Sequence, residues 1–293
     1  MCDQDTPQDF ADHINANPLS RRHFVALTAG LSMANLLALF PAAANAADVT
    51  ESEVMIKTPD GTADCYFVHP AKGASAAILV WPDVLGLRPA FRAMGKRLAE
   101  NGYAVLVVNP FYRKMKAPVV PDGASLQDPK VSGVVFPLMQ GLTADGTFTD
   151  AKAFISWLDQ QAAVDKKKKI GTSGYCMGGP LVIRTASVSD RIGAGATFHG
   201  AALANDKPDS PHLLLSKTKA SFLIAIADSD DKTDPKAKDI LKETFAKNGQ
   251  KATVEVYTGC AHGWTVPDFP VYNKEGAEKA WAAMLDLFKT SLA

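Results

Sequence analysis

The sequence predicts an α/β fold, a mostly parallel twisted sheet with helices on both faces. Three observations carry that prediction. Short apolar runs alternate with segments of helical periodicity through most of the 293 residues. The reactive side chains Asp83, Cys176, Asp230 and His262 all fall just past the ends of those runs, where open α/β sheets place their sites. The hexapeptide Gly174-Tyr175-Cys176-Met177-Gly178-Gly179 lies between an apolar run and a helical segment.

Val54–Thr58 and Ala63–Val68 read as two strands joined by a tight turn at Pro59-Asp60-Gly61. Ala76–Trp81 and Ala104–Val108 are continuous apolar runs, which suits strands buried on both faces. Between them Phe91, Met94, Leu98 and Ala99 recur with helical spacing, and Asn101-Gly102 stops the helix. The stretch Phe111–Gly146 is rich in Pro and Gly with little periodicity and reads as a long functional or mobile loop. Alternation then resumes with a helix near Thr149–Gln161, a strand at Ile170–Gly174 and a helix over Pro180–Ser189. Strands follow at Ile192–Phe198, Phe222–Ala227 and Thr253–Tyr257, with helices over Pro235–Lys247 and about Lys274–Lys289.

Strand, tight turn and helix with a nucleophile between glycines is the pattern G-x-S-x-G, here with cysteine in place of serine. The turn forces the nucleophile into a strained backbone conformation. Side chains two residues to either side would strike the neighbouring strand and helix, and glycine at 174 and 178 removes them. Cys176 then sits at a helix N-terminus, where the dipole favours a thiolate and a developing oxyanion.

A thiol is only slightly ionised at neutral pH and needs a base. His262, in Gly259-Cys260-Ala261-His262-Gly263-Trp264, follows the last strand in a glycine-flanked loop. His199 also ends a strand, but it precedes the candidate acids, whereas the order expected with this turn is nucleophile, acid, histidine. It is expected to line the site or to be hydrogen-bonded in its wall. The acid is sought after Phe222–Ala227, where Asp228, Asp230, Asp231 and Asp234 cluster. Composition does not rank them. Counting from the strand end favours Asp230, then Asp231, while Asp234 before Pro235 suits a helix N-cap.

The first 46 residues read as a signal peptide. Ser20-Arg21-Arg22-His23-Phe24-Val25 is a twin-arginine pattern, Phe24–Phe40 is free of formal charge, and Ala44-Asn45-Ala46 offers a cleavage site before Ala47. As a helix the apolar run spans about 25 Å, short of the ~30 Å hydrocarbon core. The expectation is export by the twin-arginine machinery to the periplasm or the exterior, with no stable membrane insertion after cleavage. Residues 47–293 form one domain. Lys and Arg total 31 against 31 Asp and Glu, which gives no electrostatic case for nucleic acid or a membrane surface. Lys166–Lys169, the one basic run, reads as a solvated loop. No C-x-x-C or zinc spacing is present, so no cofactor or metal is expected. Cys65 and Cys260 are not expected to pair.

Gly-Tyr-Cys-Met-Gly-Gly, Ala261-His262-Gly263-Trp264 and Trp81-Pro82-Asp83-Val84-Leu85-Gly86-Leu87-Arg88-Pro89 together resemble the dienelactone hydrolase family of the α/β-hydrolases, over about Val54–Phe288. The resemblance implies a carboxymethylenebutenolidase-like ester or lactone hydrolase with a Cys176-Asp230-His262 triad. It implies an oxyanion hole from the N–H groups of Val84 and Met177, and an acidic residue that meets the resting thiol, here Asp83. It also implies arginines that hold a substrate carboxylate. Lys114–Gly146 contains none and Val266 stands four residues past His262, so Arg113, Lys114 and Lys116 are the available substitutes. Trp264, Phe136, Tyr112 and Phe198 are candidates for an apolar pocket. The partner is thus a small-molecule ester or lactone. The alternative is an exported binding or stress protein that retains the fold without turnover.

Overall fold

A computed structural model describes residues 32–41 and 46–293. The twin-arginine pattern and Ala44-Asn45 of the cleavage site lie outside the described residues.

Eight strands form one sheet in the order β1-β2-β4-β3-β5-β6-β7-β8. β1 (Val49–Thr58) and β2 (Gly61–Pro70) pair antiparallel in a hairpin around Pro59-Asp60, and β2 pairs antiparallel with β4 (Ala104–Val108). From there β3 (Ala77–Trp81), β5 (Ile170–Tyr175), β6 (Ile192–Phe198), β7 (Ser221–Ala227) and β8 (Ala252–Tyr257) run parallel to β4 and to one another. β3, β4 and β5 are buried at every position, as their unbroken apolar or small-residue runs require.

Alternation along each strand divides the core into two layers. Ile78 and Val80 face one side, packed with Phe91, Met94 and Leu98 of α2 (Pro89–Glu100) and with Trp281, Met284 and Phe288 of α8 (Lys274–Ser291). α1 is the short helix Met33–Leu37, whose Leu36 is buried in this same layer. Phe40 just beyond it stacks on Trp281 at 6.4 Å, and the Arg97 guanidinium lies over both rings at 4.7 and 4.3 Å. The end of the apolar N-terminal run is therefore seated on the domain.

Leu79 and Trp81 face the other side with Phe154 and Leu158 of α4 (Ala144–Leu158), Leu181 and Val182 of α5 (Gly178–Ser187), and Leu241 and Phe245 of α7 (Ala237–Lys247). Among the described residues no helix is long and apolar enough to cross a membrane.

Two expectations are corrected. The stretch 111–146 is not one loop: α3 (Pro129–Gln140) is capped by Asp128, which accepts from the Lys130 N–H at 2.9 Å. Pro129, Gly133 and Pro137 hid its periodicity, and only Val131 and Val135 are buried, so the apolar stripe is thin. Second, Asp228–Thr233 forms α6 immediately after β7, so Asp234 closes that helix, and the next helix starts at Ala237 after Lys236. The basic run Lys166–Lys169 is exposed between α4 and β5, as expected.

The tightest packing is at the β5–α5 turn. A Cβ on Gly174 would lie 2.2 Å from the Gly178 oxygen, and one on Gly178 would lie 2.4 Å from the Trp81 oxygen. Both obstacles are main chain and cannot swing aside. Gly178→Ala is expected to cost about 3 kcal/mol or more by overpacking, read as a lowered urea midpoint at unchanged m-value. An unchanged midpoint would show that the turn tolerates the methyl.

Candidate active site

Cys176 occupies the turn between β5 and α5 with φ 54°, a left-handed conformation costing about 1–3 kcal/mol for a side-chain-bearing residue. Its N–H donates to the Phe198 carbonyl at 3.0 Å, and its own carbonyl accepts from Gly179 and Ala201 at 3.0 and 3.3 Å. These bonds fix the turn against β6 and leave Cys176 only 2% exposed. The sulfur carries a disulfide bond in the structure, so thiol chemistry at this position belongs to the reduced protein. Cys65 and Cys260 are free and buried, in line with expectation.

The structure brings His262 and Asp230 together. Nδ1 of His262 lies 2.9 Å from both carboxylate oxygens of Asp230. With the proton on Nδ1 donated to that carboxylate, Nε2 keeps the lone pair that can accept a proton. The His262 main-chain N–H donates to Ser229 Oγ at 3.0 Å, and the Asp228 N–H donates to the Cys260 carbonyl at 2.9 Å. The ends of β7 and β8 are thereby laced together. The rival acids face elsewhere: Asp231 accepts from Lys238 at 2.7 Å, and Asp228 accepts from Lys232 at 2.8 Å.

His199 is fully buried with φ 42°. Its ring meets the His262 ring edge-on at 4.9 Å and Trp264 at 5.3 Å, and its Nε2 lies 3.0 Å from Thr265 Oγ1. Burial, and then the charge that His262 can carry, hold its pKa well below the ordinary imidazole range. It is a neutral wall residue. Trp264 and Phe198 are core, Phe198 stacking on Tyr175 at 4.8 Å. Tyr112 donates to Asp150 at 2.7 Å on the other face of the sheet, and Phe136 is half-buried against the core.

Val84 and Met177 stand on facing segments, and the close approach of Gly178 to Trp81 and Pro82 brings those segments into contact. Among the described residues neither N–H donates a hydrogen bond, as a pair of donors for an oxyanion requires. Asp83 is wholly buried. Its two oxygens accept from Arg88 at 2.6 and 2.9 Å, and Oδ1 also accepts from the Leu85 N–H at 2.9 Å.

The Arg88 cluster was missed by sequence reasoning. Nε and Nη2 of Arg88 donate to Asp268 at 2.6 and 2.8 Å, and Nη1 also reaches the Gly86 carbonyl at 3.2 Å. All five donors are used. The guanidinium also lies over the Phe91 and Phe269 rings, at 5.1 and 5.3 Å from their centroids. One side chain therefore ties the loop of Val84 to the loop that follows His262. Arg113, the nearest substitute for a carboxylate clamp, is likewise spent on Asp60, Asp150 and the Gly146 carbonyl.

The profile of the dienelactone hydrolase family matches residues 63–292. A Methylorubrum extorquens protein named "Putative carboxymethylenebutenolidase" is 24% identical over 281 residues, which is 92% of this chain and 93% of that one. The crystal structure titled "Putative Dienelactone Hydrolase" from Klebsiella pneumoniae superposes with a TM-score of 0.71 at 16% identity, covering 83% of this chain and 99% of that one. A dienelactone hydrolase-like promiscuous phosphotriesterase from metagenomic libraries superposes at 0.69 and 20% identity, covering 84% and 99%.

Two outcomes are expected from this arrangement. Arg88→Met leaves Asp83 and Asp268 without their cation and should lower stability by about 3–5 kcal/mol, measured by urea unfolding at pH 7. His199 binds a proton more readily unfolded than folded, so its contribution is complete above about pH 6.5 and is lost as the pH falls below it. The slope of stability against pH between 7 and 5 should flatten in His199→Asn by up to about 1.4 kcal/mol per pH unit; a parallel slope would mean that the ring is charged in the native state.

Proposed function

The chain belongs to the dienelactone hydrolase family, and from that premise we propose that it hydrolyses carboxylic esters or lactones through Cys176, Asp230 and His262 by way of a cysteinyl acyl-enzyme. The observation that carries the reading is the pairing of His262 with Asp230 on the loop after β8, in a fold whose β5–α5 turn holds Cys176 in a left-handed conformation.

In the reduced protein His262 Nε2 accepts the thiol proton as Cys176 Sγ bonds to the carbonyl carbon. The carbonyl electron pair moves onto oxygen, where the N–H groups of Val84 and Met177 receive it. Collapse of this adduct breaks the carbon–oxygen ester bond, and His262 returns the proton to the departing alkoxide. In a lactone that alcohol stays tethered to the acyl group. Water then gives a proton to His262 and attacks the thioester carbonyl, the carbon–sulfur bond breaks, and the acid leaves with the thiol restored. Asp230 holds the imidazole tautomer and stabilises its charged form throughout. With both oxygens of Asp83 taken by Arg88, its part here is to shape the Val84 loop. A thiol nucleophile favours good leaving groups, so enol esters, lactones and aryl esters are the substrates of this reading.

Export completes it. The twin-arginine pattern directs the folded chain to the periplasm or exterior as a soluble enzyme, with cleavage near Ala46/Ala47.

The expected result is turnover of p-nitrophenyl acetate by the protein kept in dithiothreitol. Cys176→Ala should lose at least about 1,000-fold in kcat, and Asp230→Asn about 100- to 10,000-fold, with folding unchanged by circular dichroism. Iodoacetamide should label Cys176 ahead of Cys260, whose thiol burial pushes up to about 11, and ahead of Cys65, which burial raises further. Undiminished turnover in Cys176→Ala would rule the mechanism out, and absent turnover in the parent would return the binding-protein alternative.

A further inference from the structure

The end of the apolar N-terminal run is patterned for a protein surface as well as for lipid. Met33, Leu36, Leu37 and Phe40 stand at i, i+3, i+4 and i+7, the spacing of one helical face. Leu36 is buried, and the other three are half-buried against the core. Ala34, Asn35 and Ala38, between them, are exposed. Ser32 caps the helix, its Oγ accepting from the Asn35 N–H at 3.4 Å. Entry into lipid alone calls for apolarity all round, not for one covered face and a cap.

The seat is built by α2 and α8. α1 packs on α2, and Phe40 stacks on Trp281 of α8. Arg97 of α2 donates to both oxygens of Glu278 of α8, at 2.9 and 2.5 Å, and its guanidinium lies over the Phe40 ring. Arg97 is only 7% exposed, and Phe40 is one of the two rings that cover it. Where Phe40, Tyr272 and Trp281 meet, a cavity of about 10 Å³ is left, room for one water at most. Past the expected cleavage site the Ala47 N–H donates to the Glu100 carbonyl at 3.1 Å, three residues beyond Arg97. Both flanks of that site are thus moored to the C-terminal end of α2.

We propose that the α2–α8 seat is a docking site for the chain's own leader, residues 33–40, and that docking withholds the leader from the membrane until it is released. Leu36 and Phe40 cannot be packed on the domain and buried in lipid at once. Membrane affinity is therefore scaled by the undocked fraction, and a tighter seat weakens it in proportion. The inference rests on reading residues 1–46 as a leader and is independent of the hydrolase chemistry. It gives the folded domain control over its own targeting segment.

The full chain serves for the test. The N–H groups of Leu36, Ala38, Leu39 and Phe40 donate to carbonyls within residues 32–40, at 3.1 Å each. A helix this short does not persist alone in water, so slow exchange of these amides reports docking. They should exchange at least about 10-fold more slowly in the parent than in Phe40→Ala or Arg97→Gln, with circular dichroism unchanged. Exchange equally fast in all three proteins overturns the proposal. Flotation with vesicles of phosphatidylethanolamine and phosphatidylglycerol should recover about 5- to 10-fold more Arg97→Gln than parent. Loss of a positive charge by itself weakens binding to this anionic surface, so the sign separates release of the leader from electrostatics. Adding Leu36→Asp should abolish the gain; a gain that persists comes from the bared seat and overturns the proposal. A synthetic peptide of residues 20–46 keeps the two readings apart. If the peptide ignores the vesicles, the leader reading fails and the proposal with it. If it binds while parent and Arg97→Gln bind equally, docking alone is refuted.

Discussion

Everything at this site is arranged around a contact between two main chains. Gly178 approaches the carbonyls of Trp81 and Pro82 so closely that a methyl group would sit 2.4 and 2.8 Å from them. That approach brings the first turn of α5 against the loop after β3, which places the Met177 and Val84 N–H groups on adjoining segments. It also fixes where Cys176 can be, because Gly174 packs equally tightly under Gly178. The cost is a left-handed residue at the proposed nucleophile, Cys176. Parallel pairing of β5 with both β3 and β6 offsets it, holding the turn from two sides.

Charge placement follows the same economy. Among the described residues two carboxylates are well buried, and each is matched by a guanidinium: Asp83 by Arg88 beside the site, Asp150 by Arg113 on the other face of the sheet. Such pairs add little net stability against an apolar isostere, but they are strongly directional. Arg88 uses that directionality to bind loops 180 residues apart in sequence, one on each side of the proposed reaction centre. The guanidinium also lies over the Phe91 and Phe269 rings, which adds cation–π contact to its hydrogen bonds.

What could be read from the sequence was local. The glycine spacing around Cys176 implied the turn because the steric requirement acts over four residues, and the apolar runs implied β3, β4 and β5 because both faces of each are covered. Asp230 could be favoured by counting from the end of β7, although composition left four aspartates open; Lys238 and Lys232, which engage Asp231 and Asp228, are ordinary surface lysines in the sequence. The helix over 129–140 was hidden by two prolines and a glycine in a segment that buries only two side chains, so neither propensity nor periodicity could reveal it. The Arg88–Asp268 contact was illegible for a different reason. Nothing in a run of residues 83–88 records which distant acid will fold over it, and nothing beside Arg113 records that Asp60 and Asp150 will take its donors.

The paired histidines bear on how the centre keeps its base. In the proposed mechanism His262 accepts a proton and returns it. A second imidazole packed edge-on at 4.9 Å would repel that proton if it were itself charged. Complete burial keeps His199 neutral, so the ring contributes shape and polarizability beside His262 without opposing its charge. The left-handed backbone at 199 and the hydrogen bond to Thr265 hold the ring there, and Thr265 itself lies three residues past His262. The loop that carries the proposed base thus also fixes its neutral neighbour, and Asp230 remains the one carboxylate shown bonded to the imidazole among the described residues.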